Sequence, residues 1–150
     1  HMEIRLINGK SQTDSAVRLM RETFMHSVAP LYAPRGVDNF PAFIEDRMLV
    51  QSLELFGAFE NEALVGVLAV KEGRRHICCF FVQASYQRQG IGRRLWEHLL
   101  TVSDNEMYTV HASPNAVPAY IRLGFAAAAE EQNADGMRFT PMRFIREENV

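Results

Sequence analysis

The sequence has little cysteine, no strong excess of charge and no long apolar run. Its only cysteines, Cys78 and Cys79, are adjacent. Neighbouring strand residues point to opposite faces, which argues against a metal pair or a structural disulfide. We interpret them as small buried residues in a reducing, cytoplasmic setting. The formal net charge of −2 argues against general nucleic-acid binding, which needs a basic surface. No apolar run approaches the roughly 20 residues of a membrane helix, and we expect no membrane partner and no signal peptide.

What is present indicates one globular domain. The chain has 150 residues, of which 47% are hydrophobic and 23% are charged, an ordinary balance for a protein with one core. His1 is interpreted as a cloning remnant, so residues 2–150 are expected to form a single domain. No linker, repeat or low-complexity segment divides it.

Hydrophobic periodicity predicts a mixed α/β (α+β) fold. Val17, Met20, Phe24 and Val28 recur at helical spacing, and a second helix starts near residue 38 with Met48 on its inner side. Strands are predicted over residues 3–7, 55–59, 64–70, 76–82 and 107–111, further helices over residues 90–102 and 116–123, and a closing hairpin over residues 125–144. The order is a strand, two helices, three strands, a helix, a strand, a helix and two strands.

The most informative segment runs from Phe80 to Leu95. A buried strand leads into a polar turn with Gly90 and Gly92, and the turn opens a helix. The first N–H groups of a helix lack internal partners, and the helix dipole adds positive charge there, so this turn can bind phosphate. Glycines without Cβ let a pyrophosphate approach the backbone, and nearby arginines add charge.

Three phosphate-binding motifs compete for this chain. A dinucleotide fingerprint fails because Leu95 occupies the third glycine position, and a P-loop at Gly9 fails because Ile4 occupies its first glycine position. The pattern Gln/Arg-x-x-Gly-x-Gly/Ala is matched in full by residues 87–92. This segment resembles the coenzyme A pyrophosphate loop of the GNAT superfamily of N-acetyltransferases. The competing interpretation is a glycine-rich turn that starts a helix and binds nothing. The position of the turn directly after a buried strand argues against that interpretation.

A second segment is similar to the same family. Many members carry a strand and a short helix ending Tyr-x-x-x-Gly-Phe, matched here by Tyr120, Gly124 and Phe125. An asparagine often lies seven residues before the tyrosine and contacts the cofactor, but here that position is Ser113, which retains one hydrogen-bonding hydroxyl.

The resemblance implies a mixed, mostly antiparallel sheet of about seven strands with helices on both faces. Two central strands would splay apart and hold acetyl-CoA, with no metal, and backbone groups of Phe81 and Val82 would meet the pantetheine arm. The expected pyrophosphate contacts are Gln87, Arg88, Gln89, Gly90, Ile91, Gly92, Arg93 and Arg94.

The implied reaction is N-acetyl transfer by direct attack of a primary amine on the thioester. A backbone N–H near Phe81 or Val82 would stabilise the oxyanion, and Tyr120, whose ordinary pKa is about 10, would protonate the departing thiolate. Some members use a glutamate as base on the strand before the loop, but residues 76–82 contain no carboxylate. His111 is a candidate base, although a hydrogen-bonded histidine at a strand end or water as base are alternatives.

The acceptor side is less defined by sequence. In this fold the loop between the first two helices lines the acceptor site, so Tyr32 and Arg35 are candidate substrate contacts, and a solvated loop is an equal alternative. The acceptor is expected to be a small molecule or a protein amine. An acyl-CoA-binding sensor without efficient turnover is the alternative function. Edge strands in the closing hairpin permit a homodimer.

Overall fold

The computed structural model describes residues 1–31, 46–134 and 136–147, with the side chains of residues 31 and 47 outside the description. The first half of the chain contains β1 (Met2–Leu6), α1 (Gly9–Thr23), a π-helical turn (Phe24–Val28), a 3₁₀ turn (Ala29–Leu31), α2 (Arg47–Gln51), β2 (Glu54–Glu60) and β3 (Ala63–Lys71). The second half contains β4 (His76–Val82), a 3₁₀ turn (Ala84–Tyr86), α3 (Ile91–Val102), β5 (Met107–Ala112), α4 (Val117–Leu123), β6 (Ala126–Ala127), β7 (Gln132–Ala134) and β8 (Met137–Ile145).

The strands form one mixed sheet in the order β1-β2-β3-β4-β5-β8-β6, and β7 pairs with β8. Every pairing is antiparallel except that of β4 with β5, which is parallel. The predicted fold class, a mostly antiparallel mixed sheet with helices on both faces, is therefore confirmed. The described part contains no helix that is long and apolar enough to cross a membrane.

Helices cover both faces of the sheet because the central strands are apolar on both sides. On one face, α3 buries Leu95, Trp96 and Leu99 in a cluster that also holds Tyr120 of α4. On the other face, α1 buries Ala16 and Met20 against β3 and β4. The alternation of strand side chains therefore assigns each residue of β4 and β5 to the α3 face or to the α1 face.

Two details differ from the sequence prediction. The first strand of the closing hairpin is divided into β6 and β7, so the described residues form eight strands, against about seven expected. Residues 128–131 do not pair as a strand, and their side chains are exposed. Met48, expected on an inner helix face, is 82% exposed. The helix predicted from about residue 38 lies mostly outside the described residues, and the described part is the short α2.

Candidate active site

An opening in the sheet lies between β4 and β5. The two strands pair only through His76 with Thr109 and Ile77 with Val110. Beyond these residues, β4 continues beside β3 to Val82, whereas β5 continues beside β8. The central sheet is thus split over the second half of β4, as the sequence resemblance implied.

The backbone of β4 exposes alternate residues to this opening. The Gln83 N–H donates to the Val65 carbonyl at 2.8 Å, and in an antiparallel ladder every second residue makes such bonds. Phe81, opposite Val67, therefore directs its backbone groups toward β3, while Val82 and Phe80 direct theirs away from it. The Val82 carbonyl accepts from the Gln87 side chain at 2.9 Å, which agrees with this orientation. Phe80 was not singled out from the sequence, whose alternation alone does not reveal which residues face β3.

The turn after β4 presents a series of backbone donors at the mouth of the opening. The first helical bond of α3 runs from the Arg94 N–H to the Gly90 carbonyl at 3.0 Å. Within the described residues, no backbone N–H from Arg88 to Arg93 donates to an acceptor of the protein. Arg88 has φ +65° and Gly90 has φ +81°, so the turn alternates left-handed and ordinary residues and points its amides outward. Such a concave series of amides binds anions.

The long side chains of the turn have different roles. The Arg93 guanidinium donates to the Arg122 carbonyl at 2.9 Å, and Arg94 reaches the Met2 carbonyl at 3.4 Å. Arg88 is exposed and forms no hydrogen bond or ion pair with the described residues. Gln89 contacts the Ser85 carbonyl and so supports the turn. Arg88 is thus the arginine with its full charge available beside the open amides.

Tyr120 lies on α4 and faces the opening from the β5 side. Its side chain is buried at 7% exposure, and its ring meets Phe80 edge to face with centroids 6.0 Å apart. Within the described part of the chain its hydroxyl has no hydrogen-bond partner. Burial, with a smaller effect of Cys79, raises the pKa of Tyr120 well above its usual value. The hydroxyl therefore keeps its proton at neutral pH.

Ser113 begins the turn between β5 and α4. Its hydroxyl donates to Asn115 Oδ1 at 2.7 Å, and Asn115 donates to the Ser27 carbonyl at 3.2 Å. Ser113 therefore connects the end of β5 to the π-helical turn after α1. Its hydroxyl oxygen retains lone pairs that can accept one further hydrogen bond.

Two histidines meet where the opening begins. His76 and His111 contact edge to face with ring centroids 5.3 Å apart, and His111 stacks on Phe139 with centroids 4.5 Å apart. Tyr108, Val110 and Ala112 belong to the cluster under α3, so alternation places Thr109 and His111 on the opposite face. The sequence pointed to His111 but not to His76. Across the described residues, no group of three His, Cys, Asp or Glu side chains is arranged to bind a metal ion.

Cys78 is an unmatched residue in the same strand. Ala69 pairs with Cys79 and Val70 with Ile77, so Cys78 is the extra residue of a β-bulge. Burial raises the pKa of the Cys78 thiol. The thiol therefore stays protonated and is a weak nucleophile.

The acceptor contacts expected from the sequence, Tyr32 and Arg35, lie outside the described residues. A groove of about 490 Å³ lies between α1 and the ends of β3 and β4, and its lining includes Arg18, Glu22 and Glu62. Its lining contains charges of both signs beside apolar side chains such as Leu19.

Comparison with known protein families places the chain in a class of acyltransferases. The family model described as an acetyltransferase (GNAT) domain matches residues 28–146. The chain belongs to this GNAT family. No protein among the curated sequences matches it.

Solved structures with the same fold share little sequence with the chain. A GCN5-related N-acetyltransferase from Rhodopseudomonas palustris is 17% identical, with 96% of this chain and 95% of that chain covered and a TM-score of 0.82. The PaiA N-acetyltransferase from Thermoplasma acidophilum, in complex with coenzyme A, is 14% identical, with 97% and 99% covered and a TM-score of 0.79. FeeM, an N-acyl amino acid synthase from uncultured soil microbes, is 16% identical, with 97% and 91% covered and a TM-score of 0.72.

Proposed function

We propose that the protein transfers an acetyl group from acetyl-CoA to a primary amine of a small molecule or a protein, by direct attack in a ternary complex. The observation that carries this proposal is the run of amides from Arg88 to Arg93 at the mouth of the sheet opening, which have no hydrogen-bond acceptor among the described residues. The diphosphate of acetyl-CoA has the charge and shape that such amides bind. The relative with bound coenzyme A supports the choice of donor. We propose a cytoplasmic reaction, where cysteines such as Cys78 stay reduced.

The donor would enter with its diphosphate on the turn and its pantetheine arm along β4. Backbone groups of Val82 and Phe80 face away from β3, on the side where β5 no longer pairs with β4. The arm or the thioester oxygen would bond to these groups in place of the missing strand. Gly92 packs beside the side chains of both residues, since a Cβ there would lie 3.8 Å from the Phe80 ring and 3.9 Å from Val82.

The transfer itself requires charge stabilisation and a proton. Attack of the neutral amine forms the C–N bond and places negative charge on the thioester oxygen, which a β4 amide in the opening stabilises. Collapse breaks the C–S bond, and Tyr120 gives its proton to the leaving sulfur. The nitrogen of the adduct then loses a proton that restores the tyrosine, directly or through water. The raised pKa of Tyr120 suits a proton donor.

Two measurements test this proposal. Acetyl-CoA should raise the melting temperature because it binds the folded chain only. Release of coenzyme A thiol should then follow with at least one member of a broad panel of primary amines and peptides. Absence of a thermal shift at millimolar acetyl-CoA contradicts the proposal. A shift without thiol release across the panel favours an acyl-CoA sensor instead.

A further inference from the structure

His76 occupies the closed end of the opening between β4 and β5. It is the first residue of β4, and its pairing with Thr109 is one of the last links between the two strands. Because Ile77 is buried under α3, His76 projects to the other face, where His111 also lies. The amides of the turn are at the opposite end of β4. A thioester that enters from the turn along β4 is therefore directed toward the two histidines.

One nitrogen of His76 is held by β5. Nδ1 lies 2.8 Å from the Thr109 hydroxyl oxygen. When Nδ1 carries the ring proton and donates it to Thr109, Nε2 is left with a free lone pair. The contact with Thr109 fixes the orientation of the ring, and the tautomer with the proton on Nδ1 is the one that leaves Nε2 able to take a proton.

The surroundings keep His76 neutral. Burial is the main cause of its lowered pKa, and the nearby His111 and Lys71 lower it further, while Glu72 acts weakly in the other direction. On β8, Arg143 lies opposite Thr109 and adds no negative charge to this face. A neutral imidazole that is half-buried at pH 7 is ready to accept a proton.

Resting on the function proposed above, we propose that His76 is the general base of the transfer, positioned by its contact with Thr109 and packed against the ring of His111. Nε2 takes one proton from the acceptor's ammonium group, and the resulting neutral amine forms the C–N bond as the C–S bond breaks. His76 then releases this proton to solvent, which is the one proton that the overall reaction sets free. His76 is a catalytic residue in this scheme, whereas Thr109 and His111 act through it.

The test compares pH profiles of acetyl transfer to the best primary-amine acceptor of the panel. His76→Gln should lower kcat/KM by about 100-fold at pH 7, the size expected for loss of a general base. The deficit should shrink as the pH approaches the acceptor's own pKa, near 10.4 for a lysine-like amine, because solvent then supplies neutral amine. Wild-type activity should fall only below pH 6.5, where His76 becomes protonated. His98→Gln is the matched control, because this half-buried histidine packs on Phe56 of β2 and should keep the wild-type profile.

Two further variants separate positioning from folding. Thr109→Val should lower kcat by about 10-fold with little change in KM, since one hydrogen bond is lost, and Thr109→Ser should restore it. His111→Gln should move the acid limb of the profile, and the His76 imidazole titration followed by NMR, to higher pH. A structural role alone would change neither the profile nor the titration.

The outcomes distinguish the two proposals. If the wild-type protein transfers acetyl groups but the ratio of its kcat/KM to that of His76→Gln is the same at every pH, the base assignment is wrong and the proposed function stands. If His76→Gln still shows the acetyl-CoA thermal shift yet loses transfer selectively at low pH, the assignment is supported. If wild-type protein transfers to no amine, both proposals are wrong.

Discussion

The ring of Tyr120 meets the ring of Phe80 edge to face, with centroids 6.0 Å apart. This contact joins α4, which follows β5, to β4, so it bridges the opening in the sheet. The contact places the Tyr120 side chain beside the half of β4 that has no β5 partner.

Removal of the Tyr120 hydroxyl should separate chemistry from binding. Tyr120→Phe keeps the ring contacts with Phe80 and Phe125 but removes the hydroxyl that we propose as the proton donor. We expect kcat to fall by about 100-fold or more, the usual contribution of a general acid, while acetyl-CoA affinity stays the same. Steady-state thiol release and calorimetric titration measure the two quantities.

Tyr108 offers a matched control for that substitution. Its hydroxyl contacts Ser103 at 2.6 Å and accepts from Arg146 at 2.9 Å, away from the opening. Tyr108→Phe should cost about 1–3 kcal/mol of unfolding free energy, because buried partners lose a bond, with kcat unchanged. Equal losses of kcat in both variants would refute a chemical role for Tyr120.

The two glycines of the turn should respond differently to alanine. Gly90 has φ +81°, so Gly90→Ala is strained by about 1–2 kcal/mol and should distort the turn, even though no protein atom lies within 4 Å of the added methyl. We expect acetyl-CoA affinity to fall at least 10-fold, measured by calorimetry.

Gly92 lies in the first turn of α3 with an ordinary helical φ. An added Cβ makes ordinary contacts with Phe80 and Val82, and alanine favours the helix by up to about 1 kcal/mol. Gly92→Ala should therefore raise the melting temperature and keep affinity within a few-fold. Equal loss of affinity in both alanine variants would show that the turn geometry at Gly90 is not what binds the diphosphate.

The ion pair between Arg74 and Glu54 should make stability depend on pH. Two hydrogen bonds of 2.9 and 2.7 Å from Arg74, the main cause, hold the pKa of Glu54 below its ordinary value. A carboxyl whose pKa is lower in the folded state than in the unfolded state stabilises the fold at pH values above its unfolded-state pKa. This stabilisation is lost as the pH falls through its folded-state pKa. Because the Glu54 side chain is 45% exposed and its charge is screened by solvent, the ion pair contributes under about 1 kcal/mol to the free energy of unfolding at pH 7.

Urea unfolding at pH 7 and pH 3 measures whether the stabilisation by Glu54 falls with pH as expected. Glu54→Gln should be less stable than wild type at pH 7, and the difference should shrink toward pH 3 as the pH falls through the lowered pKa of Glu54. Glu62→Gln is the control, because its pair with Arg5 is 83% exposed on the glutamate side. A Glu54→Gln deficit that persists at pH 3 would assign the effect to packing.

Arg146 should stabilise the fold without serving the reaction. Its guanidinium donates to the carbonyls of Leu100, Ser103 and Asn105 at 3.1–3.2 Å, which satisfies the end of α3 and the loop after it. Arg146→Lys should cost about 1.5–3 kcal/mol in chemical denaturation, since a lysine cannot reach all these acceptors. The acetyl-CoA thermal shift should persist, and its loss would contradict a purely structural role.

Local features of the candidate site were predictable because they reside in consecutive residues. The helix start at Gly90 follows from glycines, polar residues and a preceding apolar strand within one short segment. Tyr120, Gly124 and Phe125 are likewise recognisable by spacing alone, and the structure closes their helix with Gly124 at φ +105°.

Features that depend on pairing were not predictable. Alternation in β4 is visible in the sequence, but its phase relative to β3 depends on register and on the bulge at Cys78. Which of Phe80, Phe81 and Val82 directs its backbone away from β3 was therefore not predictable. The division of the closing hairpin into β6 and β7 depends on where β8 can bond to each segment.

By itself, the amino-acid sequence determined that a helix with open amides follows a buried strand, because neighbouring residues and local backbone preferences suffice for that. Only the tertiary structure decided that β4 and β5 separate after Ile77 and that His76 meets His111 across the gap. The two histidines are far apart in the chain, and their approach depends on the parallel register of two strands, which no local preference specifies.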